Sequence, residues 1–172
     1  MTMRKKKRGI CYYLMPDKRE RSVYEIDFKA LYDKGYRGVI FDIDNTLVPH
    51  GAPADERSIE LFRKLRAIGF KTCLVSNNVK ARVDLFNKDV KTHYVFFAKK
   101  PMSGGYKRAM ELMGTTRKNT LEIGDQIFTD VWGAKRLGIM CILTDPIDPV
   151  EAPHIKLKRM LENLILKRYN GE

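Results

Sequence analysis

Cysteine is scarce in this chain, and what there is cannot form a framework. Cys11, Cys73 and Cys141 are scattered and odd in number, with no C-x-x-C pair. The three histidines are not clustered either. Together these shortages exclude a disulfide scaffold and a structural zinc site, and they make a reducing cytoplasm the expected compartment. Long apolar runs are also missing: none approaches the ~20 residues that cross a bilayer as a helix, so no transmembrane segment is expected. There is no internal repeat and no low-complexity linker. Acidic residues are in deficit, 21 against 33 Lys plus Arg, for a formal net charge of +12. An excess of that size points to anionic partners, whether acidic lipid headgroups, nucleic acid or phosphorylated substrates, without choosing among them.

What remains is ordinary material for one domain, 172 residues of which 44% are hydrophobic and 31% charged. The start is basic, Arg4-Lys5-Lys6-Lys7-Arg8, but the apolar stretch behind it stops at Pro16. It is too short for the core of a cleaved export signal. Residues 1–24 therefore read as a basic N-terminal segment. It is either a solvated, frayed terminus or a polybasic patch with aromatic anchors (Tyr12, Tyr13) for an anionic membrane surface; an RNA-binding role for the basic run is the weaker alternative. Residues 151–172 read as a basic amphipathic helix with Leu157, Leu161, Leu164 and Ile165 on one face. That helix either packs on the domain or lies on a membrane. The core domain falls between, over residues 25–150.

Within it, strands and helices alternate. A helix is expected over 27–36, capped by Asp27 and closed by Gly35, and then an apolar strand over 38–41. Further helices are expected over 55–68, 79–88, 106–113 and 131–137, and further strands over 70–75, 94–98, 121–123 and 139–143. This rhythm specifies an α/β fold, a doubly wound, Rossmann-like parallel sheet of about five strands.

Four successive strands end in residues able to handle phosphate or metal. The first ends in Asp42-Ile43-Asp44-Asn45-Thr46, the second in Ser76-Asn77-Asn78, the third in Lys99-Lys100-Pro101, and the fourth in Gly124-Asp125 with Asp130 beyond. Singly, each has a bland reading: a turn, a helix cap, a solvated basic loop. Parallel strands place all four on one edge of the sheet, where ligands bind in such folds. A carboxylate nucleophile with a second acid beside it suits phosphoryl transfer. A divalent cation would offset the repulsion, and oxygen-only donors favour Mg²⁺.

In the order and spacing of these four motifs the chain resembles the haloacid dehalogenase-like (HAD) phosphatases, over about residues 38–143. The D-x-D-N-T-L-V and G-D-Q-x-x-T-D forms look most like subfamily IIIA, the YqeG-type phosphatases, a group related to the phosphatidylglycerophosphate phosphatases. The resemblance implies Asp42 as nucleophile and Asp44 as general acid and base. It implies Thr46, Ser76 and Asn77 around the phosphoryl oxygens and Lys100 bridging phosphate and Asp42. It also implies Mg²⁺ held by Asp42, the backbone carbonyl of Asp44, and Asp125, with Asp130 beside them.

The gaps between motifs are too short for a large cap domain. An uncovered site suits a phosphate carried on something large. With the basic surface and the resemblance, the expected substrate is phosphatidylglycerophosphate, met by a cytoplasmic protein lying peripherally on the inner face of a membrane. The alternatives are nucleic-acid or protein phosphates, or a non-catalytic HAD domain that binds RNA or a partner. An oligomer supplying a lid in trans is a further arrangement. His50, just after the first motif, reads either as a substrate contact or as a solvated loop residue.

Overall fold

The computed structural model describes residues 9–148, 160–162 and 164–167. The elements run α1 (Ile10–Leu14), β1 (Lys18–Glu20), a 3-10 turn (Val23–Glu25), α2 (Phe28–Asp33), β2 (Gly38–Phe41), α3 (Glu56–Ile68) and β3 (Lys71–Val75). They continue with α4 (Lys80–Val90), β4 (His93–Val95), α5 (Ser103–Met113), β5 (Thr120–Gly124), α6 (Trp132–Leu137) and β6 (Met140–Thr144). The strands form one six-stranded sheet in the order β1-β6-β5-β2-β3-β4. Every pairing is parallel.

The order reverses between β2 and β5. From β2 the chain winds outward to β3 and β4; from β5 it winds the other way, to β6. Such a switch point leaves a crevice at the carboxyl ends of the two central strands. The central strands are buried along their length, as expected where helices cover both faces. Alternate residues supply two cores. Val39, Phe41, Leu74, Leu121 and Ile123 face one way with α2, α3 and α4. Ile40, Cys73, Val75 and Cys141 face the other, with Tyr106, Ala109 and Ala134 from α5 and α6.

Local chemistry accounts for the helix ends. The Asp55 carboxylate accepts from Ser58 N at 2.8 Å while Ser58 Oγ accepts from Asp55 N at 2.9 Å, a reciprocal cap that starts α3. Gly69 then stops it in the left-handed region, φ 107°.

Six strands replace the expected five, and the extra one is β1. It lies within residues 1–24, whose described part is built into the fold: β1 pairs with β6, and Val23 is fully buried. Asp17 fastens it, accepting from Lys135 Nζ at 2.5 Å and from Cys141 N at 3.0 Å. The strand expected over 94–98 is shorter, ending at Val95, because Phe97 takes a positive φ of 45° and turns the chain into a loop. At the other terminus residues 160–162 and 164–167 are helical. The face that packs is the expected one only in part. Glu162 is buried and accepts from Phe128 N at 3.2 Å, and Ile165 and Leu166 join the second core. Leu161 and Leu164 are exposed, and Leu157 lies outside the described residues.

Only a loop, α3 and β3 separate Thr46 from Ser76, and only α4 and β4 separate Ser76 from Lys100. There is no cap domain in either interval. Among the described residues no helix is long and apolar enough to cross a membrane.

Candidate active site

The crevice at the switch point is where the four motifs meet. β2 ends at Phe41 and delivers Asp42, whose backbone N donates to Ile123 O of neighbouring β5 at 3.0 Å. β5 ends at Gly124 and delivers Asp125, which is buried. After it the chain makes a π-helical turn over Ile127–Val131, a wide turn found often at functional sites. That turn swings Asp130 back under the strand end, where its Oδ2 accepts from Gln126 N at 3.0 Å. A Cβ at position 124 would stand 2.4 Å from the Asp130 carboxyl carbon, so glycine there is what lets Asp130 close in.

Lys100 enters from the opposite side on the β4–α5 loop. Its ammonium is buried and donates to Asp42 Oδ1 at 2.5 Å and to Asp130 Oδ1 at 2.7 Å. The loop that carries it is clamped by Asn77. The Asn77 amide donates to Lys100 O at 3.2 Å, and its carbonyl accepts from Lys100 N at 2.6 Å. Thr46 Oγ1 donates to Asp125 Oδ1 at 3.1 Å. Ser76 is buried, and its Oγ accepts from Asn78 N at 3.1 Å while its O–H remains a donor for a ligand.

The electrostatics follow from packing three acids around one cation. Asp42, Asp125 and Asp130 each bring a carboxylate oxygen within 4.8 Å of the others. Burial pushes the Asp42 carboxyl up to about 8, with Asp130 and Asp125 adding to the rise and Lys100 opposing it. For Lys100, burial works against the charge, but Asp130 and Asp42 outweigh it and the ammonium is held more firmly than usual. One cation against three carboxylates leaves negative charge to spare. An all-oxygen donor set of this size fits a small, hard divalent ion.

Asp44 faces a different neighbourhood. Its Oδ1 accepts from Arg82 Nη2 at 2.8 Å, Arg82 Nε at 3.1 Å and Gly51 N at 2.8 Å, and its Oδ2 accepts from Asn78 Nδ2 at 2.8 Å. The two acids are parted by the chain reversal at Asn45, which has φ 64°. Arg82, in the first turn of α4, was not anticipated from the sequence. Its side chain is 10% exposed, and Nη1 is buried without a hydrogen-bond partner. His50 Nδ1 lies 3.8 Å from Asp44 Oδ1, on a side chain that is 70% exposed.

The structure thus gathers Asp42, Lys100, Asp125, Asp130 and Thr46 into one cluster, sets Asp44 beside it on Arg82, and commits the Asn77 side chain to the lysine loop. One further acid is unexpected. Glu122 is fully buried in β5, in register with Ile40 and Cys141, and neither carboxylate oxygen has a partner. Burial drives its carboxyl well above the usual range.

Comparison with known proteins bears on the family of the chain. The family model of haloacid dehalogenase-like hydrolases matches residues 52–138. The chain is 34% identical over 155 residues to a probable phosphatase, YqeG, of Bacillus subtilis (strain 168), covering 90% of each. It is 26% identical to phosphatidylglycerophosphate phosphatase 1, chloroplastic/mitochondrial, of Arabidopsis thaliana, with 91% of this chain aligned to 48% of that protein. Among solved structures, a putative beta-phosphoglucomutase from Thermotoga maritima superposes with a TM-score of 0.52 at 14% identity, covering 71% of this chain and 91% of that one. That likeness concerns the fold.

Proposed function

This chain is a phosphatase of the haloacid dehalogenase-like hydrolase family, and we propose that it hydrolyses a phosphomonoester through a phosphorylated Asp42, with the phosphate carried on a membrane lipid. The observation that carries the reading is the convergence of Asp42, Lys100, Asp125 and Asp130 at an uncapped strand edge.

In the proposed first step an Asp42 carboxylate oxygen attacks phosphorus, the P–O bond to the alcohol breaks, and Asp44 gives its proton to the departing oxygen. In the second, water attacks the same phosphorus as Asp44 takes its proton, the acyl–phosphate bond breaks, and Asp42 returns as a carboxylate with release of inorganic phosphate. Lys100 stabilises the negative charge that grows on the equatorial oxygens. Ser76 and Thr46 supply hydroxyl donors to those oxygens. Asn77 serves through the lysine loop it clamps. Arg82 is the positioning residue of the pair, since two of the four donors on Asp44 are its own.

Asp42, Asp125 and Asp130, with the backbone carbonyl of Asp44, would hold a divalent cation, most simply Mg²⁺. When bound, such an ion neutralises phosphate charge and lets the anionic nucleophile approach.

The lipid assignment is supported by the missing cap, by the net charge of +12 and by similarity to a protein named as a phosphatidylglycerophosphate phosphatase. Mg²⁺-dependent release of phosphate from an aryl phosphate, compared in wild type and Asp42→Asn, tests the nucleophile; equal rates would refute it. A panel of phosphatidylglycerophosphate in vesicles, phosphopeptides and 5′-phosphorylated oligonucleotides tests the substrate. Turnover confined to the last two would remove the lipid.

A further inference from the structure

Large apolar side chains left exposed on this protein are not scattered. Phe97 is 56% and Met102 61% exposed, and both stand on the β4–α5 loop whose Lys100 reaches into the active site. Phe96 is exposed beside them, its ring meeting that of Phe97 edge-on at 6.0 Å. Val79 follows Asn78, which holds Asp44. Ile147 follows β6, and its N donates to Asn45 O at 3.0 Å. Met160, Leu161 and Leu164 lie within a turn of Glu162, which is fastened to Phe128 just beyond β5. Phe96, Phe97, Met102, Val79 and Ile147 belong to segments that follow a strand's carboxyl end, the edge on which Asp42 opens, and Met160, Leu161 and Leu164 are tied to that edge through Glu162. Leu85, on the outer side of α4, is the exception among the described residues.

This loop is held outward by its own backbone. Phe97 and Lys99 have positive φ of 45° and 55°. Phe97 N donates to Asn78 O and Ala98 N to Ser76 O, both at 3.0 Å, and Met102 N donates to Lys99 O at 2.8 Å. Fastened in this way, the segment buries Lys100 and Ala98 while Phe97, Lys99 and Met102 remain outside. A cavity of about 420 Å³ opens beside it, its lining including Phe97, Lys99, Met102, Gly104, Gly105 and Arg136. Its rim is therefore apolar and cationic at once, with no acid among the lining residues.

From this placement we propose that the strand-end edge is a docking face for an anionic lipid bilayer. Phe97 and Met102 enter the headgroup–acyl boundary, and Lys99 and Arg136 lie against the anionic headgroups. The proposal rests on the lipid-phosphatase reading and adds to it the orientation of the protein. Apolar side chains beneath a cationic rim match the layering of an anionic membrane, apolar under negative headgroups. Docked on this edge, the uncapped site faces the lipid surface, and a phosphate on a headgroup reaches Asp42 without the lipid leaving the bilayer. The membrane then supplies the cover that a cap domain provides for a soluble metabolite.

The test uses the full chain, vesicles of phosphatidylcholine alone or with phosphatidylglycerol, and three proteins: wild type, the double variant Phe97→Ser/Met102→Ser, and Leu85→Ser. Wild type should co-sediment with the phosphatidylglycerol vesicles, less so as salt rises. The double variant should lose about tenfold in partitioning, and Leu85→Ser should match wild type. All three should hydrolyse a soluble aryl phosphate equally, which shows that the variants fold. Equal vesicle binding by wild type and double variant would overturn the docking face. So would a wild-type dimer in sedimentation velocity that the double variant dissolves, because the patch would then be covered by a second copy. Normal, patch-dependent vesicle binding without phosphate release from phosphatidylglycerophosphate would support the face and count against the substrate alone.

Discussion

Replacing Lys100 by methionine tests the electrostatic account of the site. The lysine ammonium sits 2.5 Å from Asp42 Oδ1 and 2.7 Å from Asp130 Oδ1, and the residue is 7% exposed. Methionine keeps much of the volume and removes the charge. The cluster of Asp42, Asp125 and Asp130 then loses the cation that two of its members share. Leaving a buried ion without its partner costs about 3–5 kcal/mol. For a chain of this length each kcal/mol moves the melting temperature by about 2–4 °C, so a fall of about 6–20 °C is expected without added metal.

The loss should depend on pH, and its sign is fixed by Asp42. Burial raises this carboxyl to about 8 even against the pull of Lys100. A carboxyl whose folded value lies above its unfolded one, ~4, contributes stability that is complete below ~4 and lost as pH rises through the folded value. Without Lys100 nothing opposes that rise, so the deficit should be small at pH 5 and largest above pH 8. Mg²⁺ should restore more stability to the variant than to wild type, because it supplies the missing positive charge. Turnover of an aryl phosphate should fall by about 10²–10³. Thermal denaturation at pH 5, 7 and 8.5, with EDTA or with Mg²⁺, reads the first effects, and steady-state hydrolysis reads the last. A variant that melts with wild type at pH 8.5 and retains its rate would refute the reasoning.

Two further substitutions separate positioning from bulk stability. Arg82→Ala removes two of the four donors on Asp44, so kcat should fall by about 10–10² with little change in KM. An alkyl phosphate, whose leaving group needs the proton, should suffer more than a nitrophenyl ester, and added guanidinium should restore part of the rate. A fall equal for both esters and not rescued would mark Arg82 as structural only. Glu122→Gln should melt within about 1 kcal/mol of wild type near pH 4, where the unfolded carboxyl also carries much of its proton and burial of the folded one costs little. Its raised value means that wild type loses stability as pH rises through it, so the glutamine variant should hold its melting temperature better in alkali. Parallel curves across the range would show that Glu122 is not protonated in the folded chain.

That the strand-end residues of the site meet on one edge was legible because each of them closes a strand that the composition makes plain. Val39-Ile40-Phe41 and Leu121-Glu122-Ile123 are short apolar-rich runs, the first followed directly by Asp42 and the second, after Gly124, by Asp125. The α3 boundaries were equally plain, since Asp55 and Gly69 are a cap and a stop whose chemistry is local. β1 was not legible for a physical reason. Lys18–Glu20 is an edge strand, paired on one side only and partly exposed, so it carries no apolar pattern. What recruits it is the ion pair from Asp17 to Lys135, 118 positions away. The C-terminal helix was legible only in part. Its apolar residues marked an amphipathic face, but the protein binds the face with Glu162, because the free N–H of Phe128 calls for an acceptor there. Of the expected face Ile165 packs, while Leu161 and Leu164 stay outside.

The pair of acids at the first strand end shows most clearly what spacing alone leaves open. Asp42 and Asp44 stand two apart, and on a continuing strand both would point the same way. The strand stops at Phe41, and the left-handed turn at Asn45 carries the chain back, pairing Asp44 with Val48. The carboxylates therefore diverge. Asp42 goes to the buried lysine and the other acids, where negative charge is concentrated and a cation is wanted. Asp44 goes to Arg82, Asn78 and the Gly51 amide, a polar setting 13% exposed. Two chemically identical side chains thereby stand in two different environments, one shared with a buried ammonium and further acids and one set by four N–H donors. The residue that anchors Asp44, Arg82, lies on a helix 38 positions further along, where nothing in its local pattern distinguishes it from a surface charge.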